Sequence, residues 1–511
     1  MDRESSAAFA RDEFEKTGRL AQVLSKGLWP TTLFLGAYFA LSIAVRLILP
    51  NSLTLDEAEQ SLFSQYWLAG YGPQPPFYNW VQNAFVRVMG ISLLSLTLPK
   101  FLMLLLCYAF FGMAARELDR RPAFVAMAVL SLLTLPQVSY MPQQDLTHTI
   151  AVLMATALFL YGLFRTLSRP DWQGYAILGV AIGIGTISKY NFVLLPAATI
   201  IAVFCDREWR ARLLDPRVLL TAAISLAIVL PHAGWLLGNI DLATNGTIGK
   251  MVEANAPHGI IRVVRASGSL ILACIAFGAL AVVVFAVAFR KDFRRALRAG
   301  DRWTLLLGRI MLVSLLGVVC VILVTGTTKI TERWLDPYLL PLPLYLLRKL
   351  ERVGVDTGGS LGRFMPVFAV IMLVTLVPLA GKTLTGGLTG SYSRINYPFA
   401  SVAETLKAGQ RPALIVAEGM HLAGNMRLQF PDVPVISSGQ PIAGFPPAAA
   451  MKGPVLAIWV GNGSAPGAPP SIDLSSVGAL GLTASDPRSL SLPYEYGDGR
   501  TRLDLGYLWL R

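Results

Sequence analysis

Apolar residues form long uninterrupted stretches through most of the first 384 positions. An α-helix of about 20 apolar residues crosses the roughly 30 Å hydrocarbon core of a bilayer. Eleven stretches predict such spans, and the tenth is short and rich in proline. They lie at positions 30–50, 95–115, 123–140, 146–164, 174–188, 191–205, 218–237, 268–289, 303–325, 337–347 and 364–381. The pattern therefore predicts a polytopic α-helical membrane protein.

Basic residues are unevenly divided between the loops that join these stretches. If the N-terminus is cytoplasmic, the five inner loops carry 19 lysines and arginines, whereas the five outer loops carry 7. Lysine and arginine concentrate in the cytoplasmic loops of membrane proteins. We therefore expect residues 1–29 to be cytoplasmic and the first long loop, 51–94, to face outward. The same bias explains the net charge of +13, so nucleic acid is not an expected partner.

The composition supports a membrane protein and argues against a disulfide framework and a zinc site. Only 15% of the residues are charged, compared with about 25% in soluble domains. The four cysteines all lie within apolar stretches and show no CxxC spacing. Neither a disulfide framework nor a zinc site is therefore expected.

The pattern changes after the last apolar stretch. The segments ALIVAEG, VPVISSG and GPVLAIWVG are short apolar runs bounded by glycine and proline, and HLAGNMRLQF has a helical pattern. Strands that alternate with one or two helices predict a small α/β domain at 385–511. An odd number of spans places this domain on the outer face, beside the first loop, and leaves 30–384 as the transmembrane domain.

The first outer loop begins with LTLDEAEQ, residues 53–60. Thr54 followed by Glu57 fits a helix capping box. Apolar residues at helical spacing then predict an amphipathic helix over 55–69 that lies along the membrane surface. Asp56 and Glu57 occupy its first turn, where the helix dipole stabilises carboxylates. A structural explanation for this acidic pair therefore stands beside a chemical one.

The predicted helix ends at AGYGPQPPFYNW, residues 69–80. Glycine and proline at five positions indicate an irregular turn, which would present Tyr71, Tyr78 and Trp80 at the depth of the membrane interface. Aromatic side chains at this depth often anchor a protein in the bilayer. They also suit stacking on a sugar ring, so both explanations stay open.

Four segments resemble the membrane glycosyltransferases of clan C, which use polyprenyl-phosphate sugars. They are LDEAEQ and GYGPQPPFYNW in the first loop, SKYNFVLLP at 188–196 and TKITERWLDPYLLPLP at 328–343. This superfamily includes the protein O-mannosyltransferases and the lipid A aminoarabinose transferases. The variant with DEAEQ and PQPP is most similar to the rhizobial-type lipid A and core galacturonosyltransferases. The resemblance covers roughly the first 350 residues.

The resemblance implies a bacterial inner-membrane enzyme that transfers a sugar, with inversion, from a polyprenyl-phosphate donor to a cell-envelope glycolipid at the periplasmic face. Lipid A or the lipopolysaccharide core is the implied acceptor, and galacturonic acid an implied sugar. Asp56 corresponds to the family's loop aspartate and would act as the base, with Glu57 as the second candidate. Tyr71, Tyr78 and Trp80 would contact substrate. Gln74 would join them, at a position where the aminoarabinose branch carries a lysine.

Two other functions remain open at this stage. One is transfer of the sugar to serine or threonine of a protein. The other is a transporter or flippase for polyprenyl-linked glycans. No matching pair of glycine- or proline-broken spans supports an inverted-repeat transporter, and the long acidic outer loop favours catalysis.

Five basic residues on the outer side are candidate ligands for anionic groups. Lys189, Lys329 and Arg333 are expected to bind the donor phosphate. A lysine at the end of a span can also extend to the interface, and Lys329 and Arg333 flank a glutamate with which they can pair. Arg262 and Arg265, on one predicted helix, suit either an anionic acceptor or the headgroups of membrane lipids.

Asp145 is a third candidate catalytic carboxylate, which would face Asp56 and either position the acceptor or bind a metal together with His148 on the same helix face. It also has a structural explanation as the N-cap of a helix. His148, three residues later, and His258 in the outer loop are the candidate ligands for a divalent metal. A lone histidine near the end of a span is more often a hydrogen-bonded structural residue, and the reaction requires no cofactor.

Overall fold

The computed structural model describes residues 18–243, 259–438, 453–461 and 483–510, and helices dominate it up to position 389. Residues 18–24 and 240–243 are helical. The other helices of this part are α1 Leu28–Ile48, α2 Leu55–Phe63, α3 Phe77–Met89, α4 Leu93–Leu118, α5 Pro122–Ser131, α6 Pro136–Ser139, α7 Met141–Asp145, α8 His148–Ser168, α9 Trp172–Thr186, α10 Leu194–Phe204, α11 Arg210–Leu213, α12 Val218–Leu237, α13 Gly259–Arg298, α14 Arg302–Thr325, α15 Asp336–Leu339, α16 Leu342–Glu351, α17 Leu361–Leu384 and α18 Gly386–Thr389. Short 3₁₀ turns lie at Leu132–Thr134, Tyr190–Val193, Glu332–Trp334 and Arg394–Asn396.

Seven helices of the described residues are long and apolar enough to cross a bilayer, so the chain is a multi-pass membrane protein. These are α1, α4, α8, α12, α13, α14 and α17. Each coincides with one predicted stretch. α13 is broken at Arg290, where φ is 45° and the basic segment 290–302 begins. The predicted count of eleven is not confirmed, because the other four stretches are bent, short or interrupted.

Proline explains the bent and interrupted stretches. α5 and the turn after it meet α6 and α7 at 90°. Leu135 at the bend is extended, with φ −101° and ψ 108°, as expected for a residue that precedes a proline. Prolines also divide 337–347 between α15 and α16, which have 4 and 10 residues. α9 and α10 are apolar but only 15 and 11 residues long.

After position 389 the described residues form a five-stranded sheet with two helices. The strand order is β2-β1-β3-β5-β4. β1 is parallel to both β2 and β3, whereas β5 is antiparallel to β3 and β4. The elements are α19 Phe399–Lys407, β1 Leu414–Glu418, α20 Gly419–Gln429, β2 Val435–Ser438, β3 Val455–Val460, β4 Arg488–Pro493 and β5 Arg502–Leu510.

The first-loop helix α2 lies between the bundle and this sheet. It ends at Phe63, not at 69 as predicted. Leu62 is buried in the same apolar cluster as Met426 of α20. Gly424 comes so close to Ala58 that a β-carbon on Gly424 would lie 2.0 Å from the Ala58 carbonyl oxygen. α20 therefore covers the side of α2 that carries Ala58 and Leu62, and the position of this helix along the membrane surface stays a prediction.

Candidate active site

A buried ion pair fixes the first turn of α2. Glu57 accepts hydrogen bonds from Arg46 of α1, with Nε to Oε1 at 3.2 Å and Nη2 to Oε2 at 2.8 Å. It also accepts one from the backbone N–H of Thr54 at 3.1 Å, and the predicted capping box is confirmed. Burial acts to raise the pKa of Glu57, but the charges of Arg46 and Lys100 and these hydrogen bonds lower it to about 2. Glu57 therefore holds the helix and is unsuited to act as a base at neutral pH.

Asp145 caps α2 from a distant part of the chain. Its Oδ1 accepts hydrogen bonds from Thr54 Oγ1 at 2.8 Å and from the Asp56 N–H at 3.1 Å. Its Oδ2 accepts one from the Leu55 N–H at 3.1 Å. The first N–H groups of a helix have no partner inside it, so this carboxylate satisfies them. Asp145 is not the N-cap of α8, as predicted, because Thr147 holds that position.

Asp56 has the raised pKa that a general base needs at neutral pH. Its side chain is half-buried, and Oδ2 accepts a hydrogen bond from Thr147 Oγ1 at 3.3 Å. Burial is the largest cause of the shift, and the negative charges of Asp145 and Glu59 add to it. The hydrogen bond from Thr147 and the charge of Lys100 oppose them, and the pKa rises from 3.8 to about 7. A base with a pKa near the operating pH is both ionised and sufficiently basic.

Sequence reasoning missed Lys100, a cation inside an apolar stretch. Its side chain on α4 is buried, with 4% of its surface exposed. Its charge helps to lower the pKa of Glu57 and opposes the rise at Asp56. Charged residues within spans are rare, face the interior and mark functional sites. The signal was therefore present, as the lone lysine in SLTLPKFLML.

A second group of charges lies within electrostatic reach of Asp56. Lys189 Nζ donates hydrogen bonds to Thr149 Oγ1 and to the Arg333 carbonyl oxygen, both at 3.1 Å. Burial lowers the pKa of Lys189, whereas the charges of Asp336 and Asp56 raise it. Folding thus brings the predicted phosphate ligand Lys189 to the same site as the predicted base.

Asp336 is the second residue that sequence reasoning missed, although it lies in the segment TKITERWLDPYLLPLP. It is fully buried at the start of α15. Within the described part of the chain, neither of its carboxylate oxygens has a hydrogen-bond partner. Burial raises its pKa to about 8, against the charges of Lys189 and Arg333. Asp336 is therefore the acidic neighbour of Lys189, the candidate ligand of the donor phosphate.

The other predicted cations lie in or near the loop between α14 and α15. Arg333 and Lys329 are exposed there, and Arg333 contributes its carbonyl oxygen to the lysine contact. Arg262 of α13 approaches this loop, because a β-carbon on Gly326 would lie 2.9 Å from Arg262 Nη1. Arg265 lies on the exposed side of the same helix. The structure thus brings Arg333 into the site and places Lys329 and both arginines of α13 at its periphery.

Two predicted aromatic contacts stabilise the turn between α2 and α3. Tyr71 is buried, and its Oη donates to the Tyr66 carbonyl oxygen at 2.7 Å and accepts from the Leu68 N–H at 3.1 Å. Trp80 Nε1 donates to the Leu68 carbonyl oxygen at 2.8 Å. Gln74 pairs with Tyr71 in a backbone bridge. The prediction that the turn presents Tyr71 at the interface was wrong, because this irregular backbone needs hydrogen-bond partners.

Tyr78 lies in the site itself. Its ring is fully buried at the start of α3, and its centroid is 5.8 Å from that of His148. Among the residues described, no partner hydrogen-bonds to its Oη. Burial and the negative charges of Asp56 and its carboxylate neighbours raise the pKa of Tyr78 well above its ordinary value. A neutral phenol next to the base is free to donate a hydrogen bond to a ligand or to water.

The helix face predicted to carry Asp145 and His148 as a metal-binding pair does not form. Asp145 is the last residue of α7 and His148 the first of α8, so they share no helix face. His148 packs against Tyr78, and its Nε2 lies 3.5 Å from Gln60 Nε2. His258 lies outside the described residues. In the ranges 18–243, 259–438, 453–461 and 483–510, no group of three or more His, Cys, Asp or Glu could hold a metal ion.

The site combines two kinds of group that a transfer reaction uses. A base with a pKa near neutrality can activate a hydroxyl, and the adjacent cations can stabilise an anionic leaving group. Residues 73–235 match the family model described as dolichyl-phosphate-mannose-protein mannosyltransferase. Crystal structures of ArnT from Cupriavidus metallidurans, in the apo state and bound to undecaprenyl phosphate, share the fold at a TM-score of 0.59 and 14% identity. Each match covers 93% of this chain and 98% of that chain.

Two relatives in sequence are much more similar. The chain is 50% identical over 482 residues to the lipopolysaccharide core galacturonosyltransferase RgtA of Rhizobium johnstonii, which covers 94% of this chain and 97% of that protein. It is 44% identical over 477 residues to RgtB of the same organism, covering 93% and 96%. The chain therefore belongs to the family of lipopolysaccharide core galacturonosyltransferases, and it is a glycosyltransferase. The resemblance noted in the sequence is confirmed, and the transporter alternative has no support.

Proposed function

We propose that this protein transfers galacturonic acid from a polyprenyl-phosphate donor to the lipopolysaccharide core at the periplasmic face of the inner membrane. The observation that carries the proposal is Asp56, whose pKa of about 7 and proximity to Lys189 suit a base beside a phosphate. The names of the two R. johnstonii relatives support the sugar and the acceptor. The fold shared with a protein that binds undecaprenyl phosphate supports the donor lipid.

In this mechanism Asp56 removes the proton from an acceptor hydroxyl, and the oxygen of that hydroxyl attacks the anomeric carbon of the donor. The new carbon–oxygen bond forms as the bond from the anomeric carbon to the phosphate oxygen breaks. The configuration inverts, and polyprenyl phosphate leaves with the bonding electron pair. A positioned general base contributes a rate factor of about 10²–10⁴. The phosphate is already a good leaving group and needs no general acid.

Lys189 and Arg333 are the residues that we assign to the departing phosphate, with Lys329 at the periphery. Two hydrogen bonds hold Lys189 Nζ in place before the donor binds. A preorganised cation stabilises developing charge without the cost of rearrangement during the reaction. Asp336 balances the positive charge of Lys189 when it is ionised, above its pKa of about 8. We assign to Tyr78 the donation of a hydrogen bond to the substrate.

The proposal places Asp56 and the C-terminal α/β domain, residues 385–511, on the periplasmic side. The distribution of lysine and arginine supports this side for the first loop and a cytoplasmic side for residues 1–29. The contact of α2 with α20 supports a common side for the loop and the domain, since Ser61 Oγ donates to the Gly424 carbonyl oxygen at 2.8 Å.

Complementation of a deletion strain tests the proposal. The strain receives the wild type, Asp56→Asn or, as a matched control on the same helix, Glu59→Gln, and mass spectrometry reads the core and lipid A. We expect galacturonic acid to be missing from the core of the deletion strain and of the Asp56→Asn strain. The wild type and Glu59→Gln should restore it. Immunoblots of the membrane fraction show that each variant is present in equal amount.

Two outcomes would contradict the proposal in different ways. If Asp56→Asn restores the modification at the normal rate, the base has been assigned wrongly. If deletion leaves every lipopolysaccharide glycan intact but removes a sugar from a protein, the acceptor is a protein. The second outcome would favour the protein O-glycosyltransferase alternative.

A further inference from the structure

A cavity of about 570 Å³ begins at the residues that hold Asp56 in place. Thr54, Gln144 and Asp145 contribute to its lining. The rest of the lining comes from the end of α17, from the segment that follows α18, and from Tyr494 and Thr501 of the C-terminal region. The cavity therefore joins the carboxylate pair to a surface built by the last third of the chain.

Two cations line this cavity. Lys382 lies in the last turn of α17, and Arg394 begins a 3₁₀ turn shortly after it. Both side chains are exposed, and neither forms an ion pair within the part of the chain that the structure describes. Cations are uncommon on the outer side of a membrane protein. Asp145 also lines the cavity but pairs with neither of them, so the two cations favour an anionic ligand.

Three tyrosines form a wall of the same cavity. The ring centroids of Tyr392 and Tyr494 are 5.0 Å apart, and those of Tyr494 and Tyr397 are 5.1 Å apart. Tyr392 Oη donates a hydrogen bond to Asp498 Oδ1 at 3.3 Å, which fixes one end of the wall. Tyrosine combines an apolar ring with a polar hydroxyl, so such a wall suits a ligand with both hydroxyl groups and C–H faces. Sugars have this character.

The segments around the cavity are tied together before any ligand binds. Asn396 Nδ2 donates to the carbonyl oxygens of Thr383 and Glu495, both at 2.8 Å. These two bonds connect the end of α17, the 3₁₀ turn and the C-terminal region, all of which line the cavity. A site that is already organised loses less conformational freedom when a ligand binds.

We propose that this cavity binds the acceptor glycan, and that Lys382 and Arg394 hold a carboxylate or phosphate group of that glycan. The inference rests on the proposed function. None of the described residues lining the cavity belongs to the Lys189 group assigned to the donor phosphate. An inverting transfer needs acceptor and leaving group on opposite faces of the donor sugar. The cavity approaches Asp56 through its capping residues, separately from the Lys189 group.

Steady-state kinetics of the purified enzyme test this assignment. The donor is polyprenyl-phosphate galacturonic acid, and the acceptor is lipopolysaccharide from the deletion strain. We expect Lys382→Ala and Arg394→Ala each to raise the acceptor KM about tenfold, the equivalent of one lost charge-assisted contact. The donor KM and kcat should stay within about twofold of wild type, and Lys382→Arg and Arg394→Lys should retain most of the affinity. Arg411→Ala, an exposed cation before β1, is the charge-matched control.

Chemically treated acceptors identify the anion. Dephosphorylation with hydrofluoric acid removes phosphate groups, and carbodiimide activation followed by borohydride reduces carboxylates to alcohols. The treatment that removes the recognised anion should abolish the difference between wild type and variants. Unchanged acceptor KM values in both variants, with an active wild type, would overturn the inference. No transfer by the wild type to any of these acceptors would instead overturn the proposed function.

Discussion

Replacing Asp145 by asparagine tests whether the pKa of Asp56 sets the pH dependence of transfer. Burial, Asp145 and Glu59, in that order, raise the pKa of Asp56 from 3.8 to about 7. Asp145→Asn removes one of the two negative charges and leaves burial and Glu59 in place. We therefore expect the pKa to fall by about one pH unit, which is roughly 1.4 kcal/mol between the two protonation states.

The direction of the change follows from the proposed role of Asp56 as the base. Only its ionised form accepts a proton, so kcat/KM of the wild type should fall as the pH drops below about 7. With Asp145 neutral, the ionised form of Asp56 is favoured. The fall of kcat/KM on the acidic side of the pH profile, its acid limb, therefore moves to lower pH. The assay is kcat/KM for the acceptor, measured with purified enzyme from about pH 5 to about pH 9.

The substitution has a smaller structural effect that is measured separately. The asparagine Oδ1 can still accept from Thr54 Oγ1 and the Asp56 N–H, but the bond from the Leu55 N–H is lost. Loss of a capping interaction costs about 0.5–2 kcal/mol of the free energy of unfolding. An acid limb at the wild-type pH in a folded variant would refute the reasoning. Glu59→Gln should move the limb in the same direction by less and leave the cap intact.

Three further substitutions test the supports of the site. Glu57→Gln leaves Arg46 buried without its counter-ion, so we expect the free energy of unfolding in detergent to fall by about 3–5 kcal/mol; an equally stable variant would contradict this. Gly424→Ala places a β-carbon 2.0 Å from the backbone of α2, so it should lower the free energy of unfolding by about 1–3 kcal/mol and also lower kcat. The control Gly409→Ala, whose β-carbon has no contact closer than 3.5 Å, should change neither quantity. Asp336→Asn removes the charge that raises the pKa of Lys189. Less of the lysine is then protonated, so the donor KM should increase, most strongly above neutral pH. A donor KM that matches wild type at every pH would argue against the pairing of Asp336 with Lys189.

Features that depend on neighbours along the chain could be predicted from the sequence. The capping box joins Thr54 to Glu57 within one helical turn, and its two residue types define it. Seven spans follow from uniformly apolar stretches, which need only a bilayer to become helices. The bend at Pro136 was readable in principle, because proline restricts the residue before it. Hydropathy alone predicts one straight span at 123–140, because it does not register the effect of Pro136 on the backbone.

Contacts between distant parts of the chain could not be predicted in this way. Asp145 caps a helix that begins 90 residues earlier, and Lys189 binds a carbonyl oxygen 144 residues later. The packing partner of α2 could not be predicted for the same reason. Its apolar side is covered by α20, which is more than 350 residues further along the chain.

The sequence by itself determined that the chain crosses the membrane many times and that an acidic pair opens the first loop. It also carried the family resemblance. Only the tertiary structure distinguished the two adjacent carboxylates, pairing Glu57 with Arg46 and placing Asp56 beside Asp145. The physical reason is that a pKa depends on burial and on nearby charges. In this protein Asp145 and Lys100 come from other helices further along the chain, so neighbouring residues of almost identical chemistry acquire opposite pKa shifts.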